Sequence, residues 1–107
     1  MRGYDSLRRR GDFARVTRRG KRYAGIHLTC FVAEGRRRTR VGITVAGSIG
    51  GAVVRNRLRR RIKAILDRYP LSAPPWRDVV FIARPGAGEL AFPELADEVA
   101  RVFRPAP

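Results

Sequence analysis

Several residue types are nearly missing from this chain of 107 residues. Its one cysteine, Cys30, excludes a disulfide framework and a four-cysteine zinc site, so no disulfide partner is expected. Its one histidine, His27, adds too few ligands for structural zinc. No apolar run approaches the roughly 20 residues that cross a bilayer. The opening Met1-Arg-Gly-Tyr-Asp-Ser lacks the apolar stretch of a signal peptide. Acidic side chains are scarce, 9 against 24 Lys+Arg, which leaves a net charge of +15. Lysine itself occurs only at Lys21 and Lys63. The expectation is a small cytoplasmic domain whose partner is a polyanion. An acidic membrane is a poor candidate, because no basic helix carries the exposed Trp/Phe/Leu face of an interfacial helix.

What is present is enough for one core. Hydrophobic residues make up 44% of the chain, and its length suits a single RNA-binding domain over 1–107, with the ordered part at about 7–103. The charge is uneven. Residues 1–84 hold 22 of the cationic side chains and 5 of the acidic ones, whereas 85–107 are slightly acidic. Three clusters dominate: Arg8 to Arg22, Arg36-Arg37-Arg38 with Arg40, and Arg55 to Lys63. So large an excess repels itself unless a partner neutralises it, and nucleic acid fits best.

The hydrophobic pattern predicts α-β-β-α-β-α with an extra short strand possible, an α+β two-layer α/β sandwich. Asp12 to Arg18 reads as a short helix stopped near Gly20. Residues 23–33 alternate as one strand, with Ile26, Leu28, Cys30 and Val32 on one face and His27, Thr29 and Phe31 on the other. Thr39 to Ala46 is a second strand, expected to pair with the first as a hairpin. After a glycine loop, Ala52 to Tyr69 is the best helix. Val54, Leu58, Ile62, Ile65, Leu66 and Tyr69 fall within an arc about 120° wide, and Arg55 projects into it. Pro70 ends this helix. Val79 to Ala83 is a strand buried on both faces. Pro93 suits the first turn of a last helix, whose apolar face is Leu95, Val99, Val102 and Phe103.

Arg55-Asn-Arg-Leu-Arg-Arg-Arg61 is the sharpest local signal. Its helix starts after glycines, so free backbone N–H groups and the positive dipole end lie beside arginines, an arrangement that holds phosphate. Asn56 is placed either to satisfy an orphan backbone donor or to bond a ribose or phosphate. The alternative is a solvated basic face, but Arg55/Arg59, Arg57/Arg61 and Arg59/Lys63 are cationic i,i+4 neighbours that repel without a ligand. Glu94, Asp97 and Glu98 share one side of the last helix and suit its positive N-terminus and solvent-facing surface. His27 has no evident partner for general-base work. Two glycine motifs mislead. Gly47-Ser-Ile-Gly50 follows a strand rather than joining two helices, and Gly86-Ala-Gly88 leaves too little chain for a dinucleotide fold.

Gly42-Ile-Thr-Val, then Ile49-Gly-Gly-Ala-Val-Val-Arg-Asn-Arg57, with Asp12-Phe13 upstream and Val80-Phe-Ile-Ala-Arg84 downstream, resembles the protein subunit of bacterial ribonuclease P. Six positions, at four places, depart from that family's pattern. Gly47-Ser48 replaces paired lysines, Gly51 replaces an asparagine, Thr17 replaces an aromatic, and Lys63-Ala64 replaces Arg-Glu or Arg-Gln. Arg36 to Arg40 is the expected compensation for the loop.

The resemblance implies a ribosomal protein S5 domain 2-like fold with a left-handed β-α-β crossover. It implies a protein that binds the catalytic RNA of ribonuclease P and the single-stranded 5′ leader of precursor tRNA. The RNA would perform the hydrolysis with Mg²⁺, so no catalytic or metal-binding side chain is assigned to the protein. Arg55, Asn56, Arg57, Arg59, Arg60, Arg61 and Lys63, with Arg36 and Arg38, are the expected RNA contacts. Phe13, Phe31 and His27 are the expected leader cleft, with the core as the other reading of both phenylalanines. The rival functions are a structural RNA-binding protein of ribosomal type and a protein-only nuclease working through Glu94 or Asp97.

Overall fold

A computed structural model of the chain describes residues 3–103. Its elements are β1 (Asp5–Ser6), α1 (Arg10–Arg19), β2 (Lys21–Ala24), β3 (Leu28–Glu34), β4 (Arg40–Thr44), α2 (Ala52–Leu66), β5 (Arg77–Ala83) and α3 (Phe92–Phe103). Short 3-10 turns occupy Gly47–Ile49 and Ala87–Glu89. The fold is mixed α+β, with one five-stranded sheet in the order β1-β4-β5-β3-β2. β5 runs parallel to β4 and antiparallel to β3, so β4–α2–β5 is a crossover between neighbouring parallel strands. Packing begins earlier than the expected residue 7: Tyr4 is buried and β1 pairs with β4.

Two expectations about the strands are corrected. Residues 23–33 are not one strand. The Gly25 N–H donates to the Leu28 carbonyl at 2.8 Å and turns the chain between β2 and β3. Ile26, expected on the core face, is therefore 75% exposed at the turn. Nor do β3 and β4 form a hairpin pair, because β5 lies between them. Val79, Val80 and Phe81 of β5 are wholly buried, and an apolar strand of this kind is most stable at the sheet centre with both faces covered.

The sheet separates two apolar clusters. On one face, Leu58, Ile62, Ile65 and Leu66 of α2 and Leu95, Val99 and Val102 of α3 pack on Leu28, Cys30, Val41, Val79 and Phe81. Each such large side chain, fully buried, contributes about 1.5–3 kcal/mol. On the other face, α1 sets Val16 against Leu7 and Val80, with Phe13, Phe31, Ala33 and Ile82 half-buried around them. α2 ends at Leu66 rather than Tyr69, although the Arg68 and Tyr69 N–H groups still bond back to Ile65 and Leu66 in a tightening turn before Pro70.

Candidate nucleic-acid interface

The cationic side chains of α2 divide into two sets. Val53, Asn56, Arg59, Arg60 and Lys63 line one shallow concavity of about 540 Å³. Val53 is 78% exposed there, and Arg59 donates to Asn56 Oδ1 at 3.3 Å. On the other flank, Arg57 donates to the Gly88 carbonyl at 3.3 Å and Arg61 to the Leu90 carbonyl at 3.0 Å. These two arginines clasp the turn at Ala87–Glu89 against the helix, and this spreads a like-charged row that would otherwise repel itself. Arg55 lies between the sets, on the side of the apolar stripe, with its Nε buried and without a hydrogen-bond partner. Gly51 precedes the helix without a side-chain cap, so the first N–H groups of α2 are free to meet an anion.

The second basic cluster sits elsewhere. Arg36, Arg37 and Arg38 are exposed in the β3–β4 turn, and Arg38 pairs with Asp5 at 3.0 Å. That turn precedes β4, whereas Gly47-Ser48 follows it, a strand length of about 13 Å away. Arg36 to Arg40 therefore does not stand in for the family's loop lysines at their own place. Arg40 serves the fold instead. Its Nε and Nη2 donate to buried Asp78 at 3.0 and 2.8 Å, and its Nη1 reaches Asp12 at 3.3 Å. Arg15 of α1 closes on the same Asp78 carboxylate. Burial pushes the Asp78 carboxyl up, but the Arg40 and Arg15 hydrogen bonds outweigh it and hold it below the usual carboxylate range. Sequence reasoning missed Asp78. The available signal was a lone acid at the head of an apolar strand in a chain rich in arginine.

Phe13 and Phe31 come together on the α1 face, both half-buried. His27 does not join them. The β2–β3 turn breaks the alternation, and His27 Nδ1 lies 2.9 Å from Glu98 Oε2 on α3, on the opposite side of the sheet. Glu98 also accepts the backbone N–H groups of His27 at 2.9 Å and Leu28 at 3.1 Å. It thus ties a hairpin turn to a helix, and does not solvate the helix as the sequence suggested; Glu94 and Asp97 are exposed. Burial pushes the Glu98 carboxyl up, yet the donors from His27 and Leu28 hold it below its usual range. A side chain at Gly25 would meet Glu98 Oε1 at 2.4 Å and the Leu28 carbonyl oxygen at 2.6 Å, so this turn requires glycine. Cys30 is buried and its thiol is pushed up by burial, which keeps it inert. Among the described residues, no group of three or more His, Cys, Asp or Glu is placed to hold a metal ion.

The sequence profile of the Ribonuclease P family matches residues 1–106. This chain belongs to the ribonuclease P protein family. The ribonuclease P protein component of Roseiflexus castenholzii is 46% identical over 101 residues, covering 92% of this chain and 82% of its own. That of Acidothermus cellulolyticus is 38% identical over 100 residues, covering 91% and 83%. The ribonuclease P protein of Thermotoga maritima superposes with a TM-score of 0.78 at 26% identity, over 92% of this chain and 94% of its own. The Staphylococcus aureus protein gives 0.81 at 23% identity over 92% and 91%, a likeness of fold.

In this ribonuclease P protein the family string follows the crossover. Gly42-Ile-Thr lies on β4, Gly47-Ser48 in the exposed turn after it, and Arg55-Asn-Arg on the first turns of α2. Membership makes the chain an RNA-binding protein of tRNA processing and a part of an endoribonuclease complex. Among the described residues, no helix is long and apolar enough to cross a membrane.

Proposed function

We propose that this ribonuclease P protein binds the catalytic RNA through the exposed face of α2 and the 5′ leader of precursor tRNA over Phe13 and Phe31. It assists endonucleolytic removal of the leader, which leaves the mature 5′ end, and it acts in the cytoplasm. The observation that carries this reading is the concavity on α2. Asn56, Arg59, Arg60 and Lys63 line it along two turns of the helix after its uncapped start, and no acid lines it. Guanidinium forks and free N–H groups match phosphate oxygens. The leader is single-stranded, and half-exposed rings beside a sheet suit unpaired bases.

Catalysis is assigned to the RNA, with Mg²⁺ supplying the metal-ion chemistry there. The protein's own buried carboxylates are already engaged: Asp78 by two arginines, Glu98 by backbone N–H groups and His27. They fit fold-holding contacts better than a metal pair. The protein's residues bind phosphate, orient the leader and lower the repulsion between two polyanions.

Single-turnover cleavage of a precursor tRNA at low Mg²⁺ tests this. Catalytic RNA alone, protein alone and the mixture are compared. Stimulation in the mixture only is the expected result. Binding without stimulation favours a structural RNA-binding protein, and cleavage by protein alone overturns the assignment to RNA.

A further inference from the structure

A groove of about 570 Å³ lies at the far end of the sheet from the start of α2. Tyr23 of β2, Trp76 just before β5, and Phe103 at the end of α3 form its aromatic wall, with Lys21, Glu34 and Arg77 at its rim. All three rings are half-buried. Tyr23 and Phe103 pack on the α2–α3 side of the sheet, opposite Phe31, so this groove is not the surface assigned above to the leader.

Trp76 is the telling residue. It is the chain's one tryptophan, yet it belongs to neither apolar cluster. Its neighbours are held in place. The Trp76 carbonyl accepts the Gly35 N–H at 2.8 Å, and the Arg77 N–H donates to Thr39 Oγ1 at 3.2 Å. Phe103 stacks on Tyr69 with ring centroids 4.8 Å apart. The Lys21 ammonium sits 5.2 Å from the centre of the Tyr23 ring. The Gly35 contact also seats Trp76 at the foot of the turn that carries exposed Arg36, Arg37 and Arg38. A large ring left out of the core, with two further rings and a cationic surround, is how proteins hold single-stranded nucleic acid: bases stack and cations take the phosphates. Glu34 is the one acid at the rim, and it stands opposite Arg77 in the β3–β5 register.

We propose that Tyr23, Trp76 and Phe103 form a second RNA contact, which takes an unpaired base against its aromatic wall while Lys21 and Arg77 hold the flanking phosphates. The proposal rests on the RNA-binding reading above and adds a site to it. An apolar protein segment is the competing occupant, but the rim charge and the adjoining arginine turn favour a polyanion.

Because Trp76 is unique, its fluorescence reports on this groove alone. The full chain is titrated with a mixed-sequence single-stranded RNA dodecamer and with an abasic dodecamer of equal charge, and binding is followed separately by anisotropy of a label on the RNA. The expected result is quenching of Trp76 by the RNA and little by the abasic strand. Trp76→Leu should weaken RNA binding about tenfold. Lys21→Glu, at an exposed site that does not threaten folding, should shift the quenching midpoint to higher RNA concentration with its amplitude kept. RNA binding seen by anisotropy with no change in Trp76 overturns the groove and leaves the α2 reading standing. No binding by either readout overturns both. Equal quenching by the abasic strand, or quenching by an apolar peptide and not by RNA, also overturns the proposal.

Discussion

The ring of Phe13 fills the space that a side chain at position 42 would need: a methyl group on Gly42 would lie 2.4 Å from Phe13 Cζ and 2.7 Å from Cε1. This contact sets α1 on the sheet and fixes one wall of the surface assigned to the leader. Gly42→Ala must therefore displace the ring. Overpacking of this kind costs about 1–3 kcal/mol. The expected outcome is a lower melting temperature and a smaller preference of the assembled ribonucleoprotein for precursor tRNA with a leader over the same tRNA without one. An unchanged leader preference in a destabilised variant would detach Phe13 from leader binding.

Asp78 is 2% exposed and carries the charge that Arg15 and Arg40 share, so it joins α1 to β4 and β5 in one contact. Asp78→Asn leaves two largely covered guanidiniums facing a neutral amide. Removing one member of such a buried pair costs about 3–5 kcal/mol when the partner stays buried; here the arginines are about a third exposed, so about 2–3 kcal/mol is expected. The check is a denaturant midpoint in a two-state transition. Binding of the catalytic RNA, measured under conditions where the variant is folded, should be unchanged, because α2 takes no part in this cluster.

The division of α2 makes a prediction about salt. Arg60 lines the open concavity, whereas Arg61 donates one of its N–H groups to the Leu90 carbonyl. Arg60→Ala should weaken RNA binding and lower the slope of log K against log salt by about 0.7–0.9. Arg61→Ala should mainly loosen the turn at Ala87–Glu89, read as faster amide exchange there, with a smaller effect on the slope. Equal slopes losses in the two variants would show that the helix meets RNA on both flanks.

The helices were legible because each is amphipathic by itself. Leu58, Ile62, Ile65 and Leu66 form the stripe of α2, and Arg55 is drawn toward it just as simple projection places it. The strand pairing was not legible. Ile26 keeps the alternation going through a turn, so β2 and β3 read as one strand, and nothing local says that β5 will part β3 from β4. The basic face of α2 follows from spacing alone. The roles of Asp78, Glu98 and Gly42 do not, since each depends on contacts between segments more than 25 residues apart in sequence. Long-range ion pairs and close approaches leave no period in the sequence.

Asp78 and Glu98 both carry acid dependence, since both carboxyls are held below the ordinary range, and Glu98 offers the test at the hairpin turn. Its carboxyl is held below the ordinary carboxylate range in the folded chain, so the contact stabilises the protein fully above the unfolded value of about 4.3 and is lost as pH falls through the folded value. Glu98→Gln keeps an acceptor for the His27 and Leu28 N–H groups but removes its charge, which is expected to cost about 1–2 kcal/mol at neutral pH. The difference in unfolding free energy between the two proteins should then shrink between about pH 5 and pH 3, because acid neutralises only the wild-type side chain. Gly25→Ala supplies the companion test, since its methyl group would stand 2.4 Å from Glu98 Oε1 and 2.6 Å from the Leu28 carbonyl oxygen, and so would disturb both the carboxylate and the backbone of the turn. If the close approach of Glu98 to Gly25 helps to hold the turn, the two substitutions together cost clearly less than their separate costs added, by about 0.5–2 kcal/mol in a double-mutant cycle. Additive costs would mean that Gly25 and Glu98 stabilise the hairpin independently and that α3 is anchored by its apolar face alone.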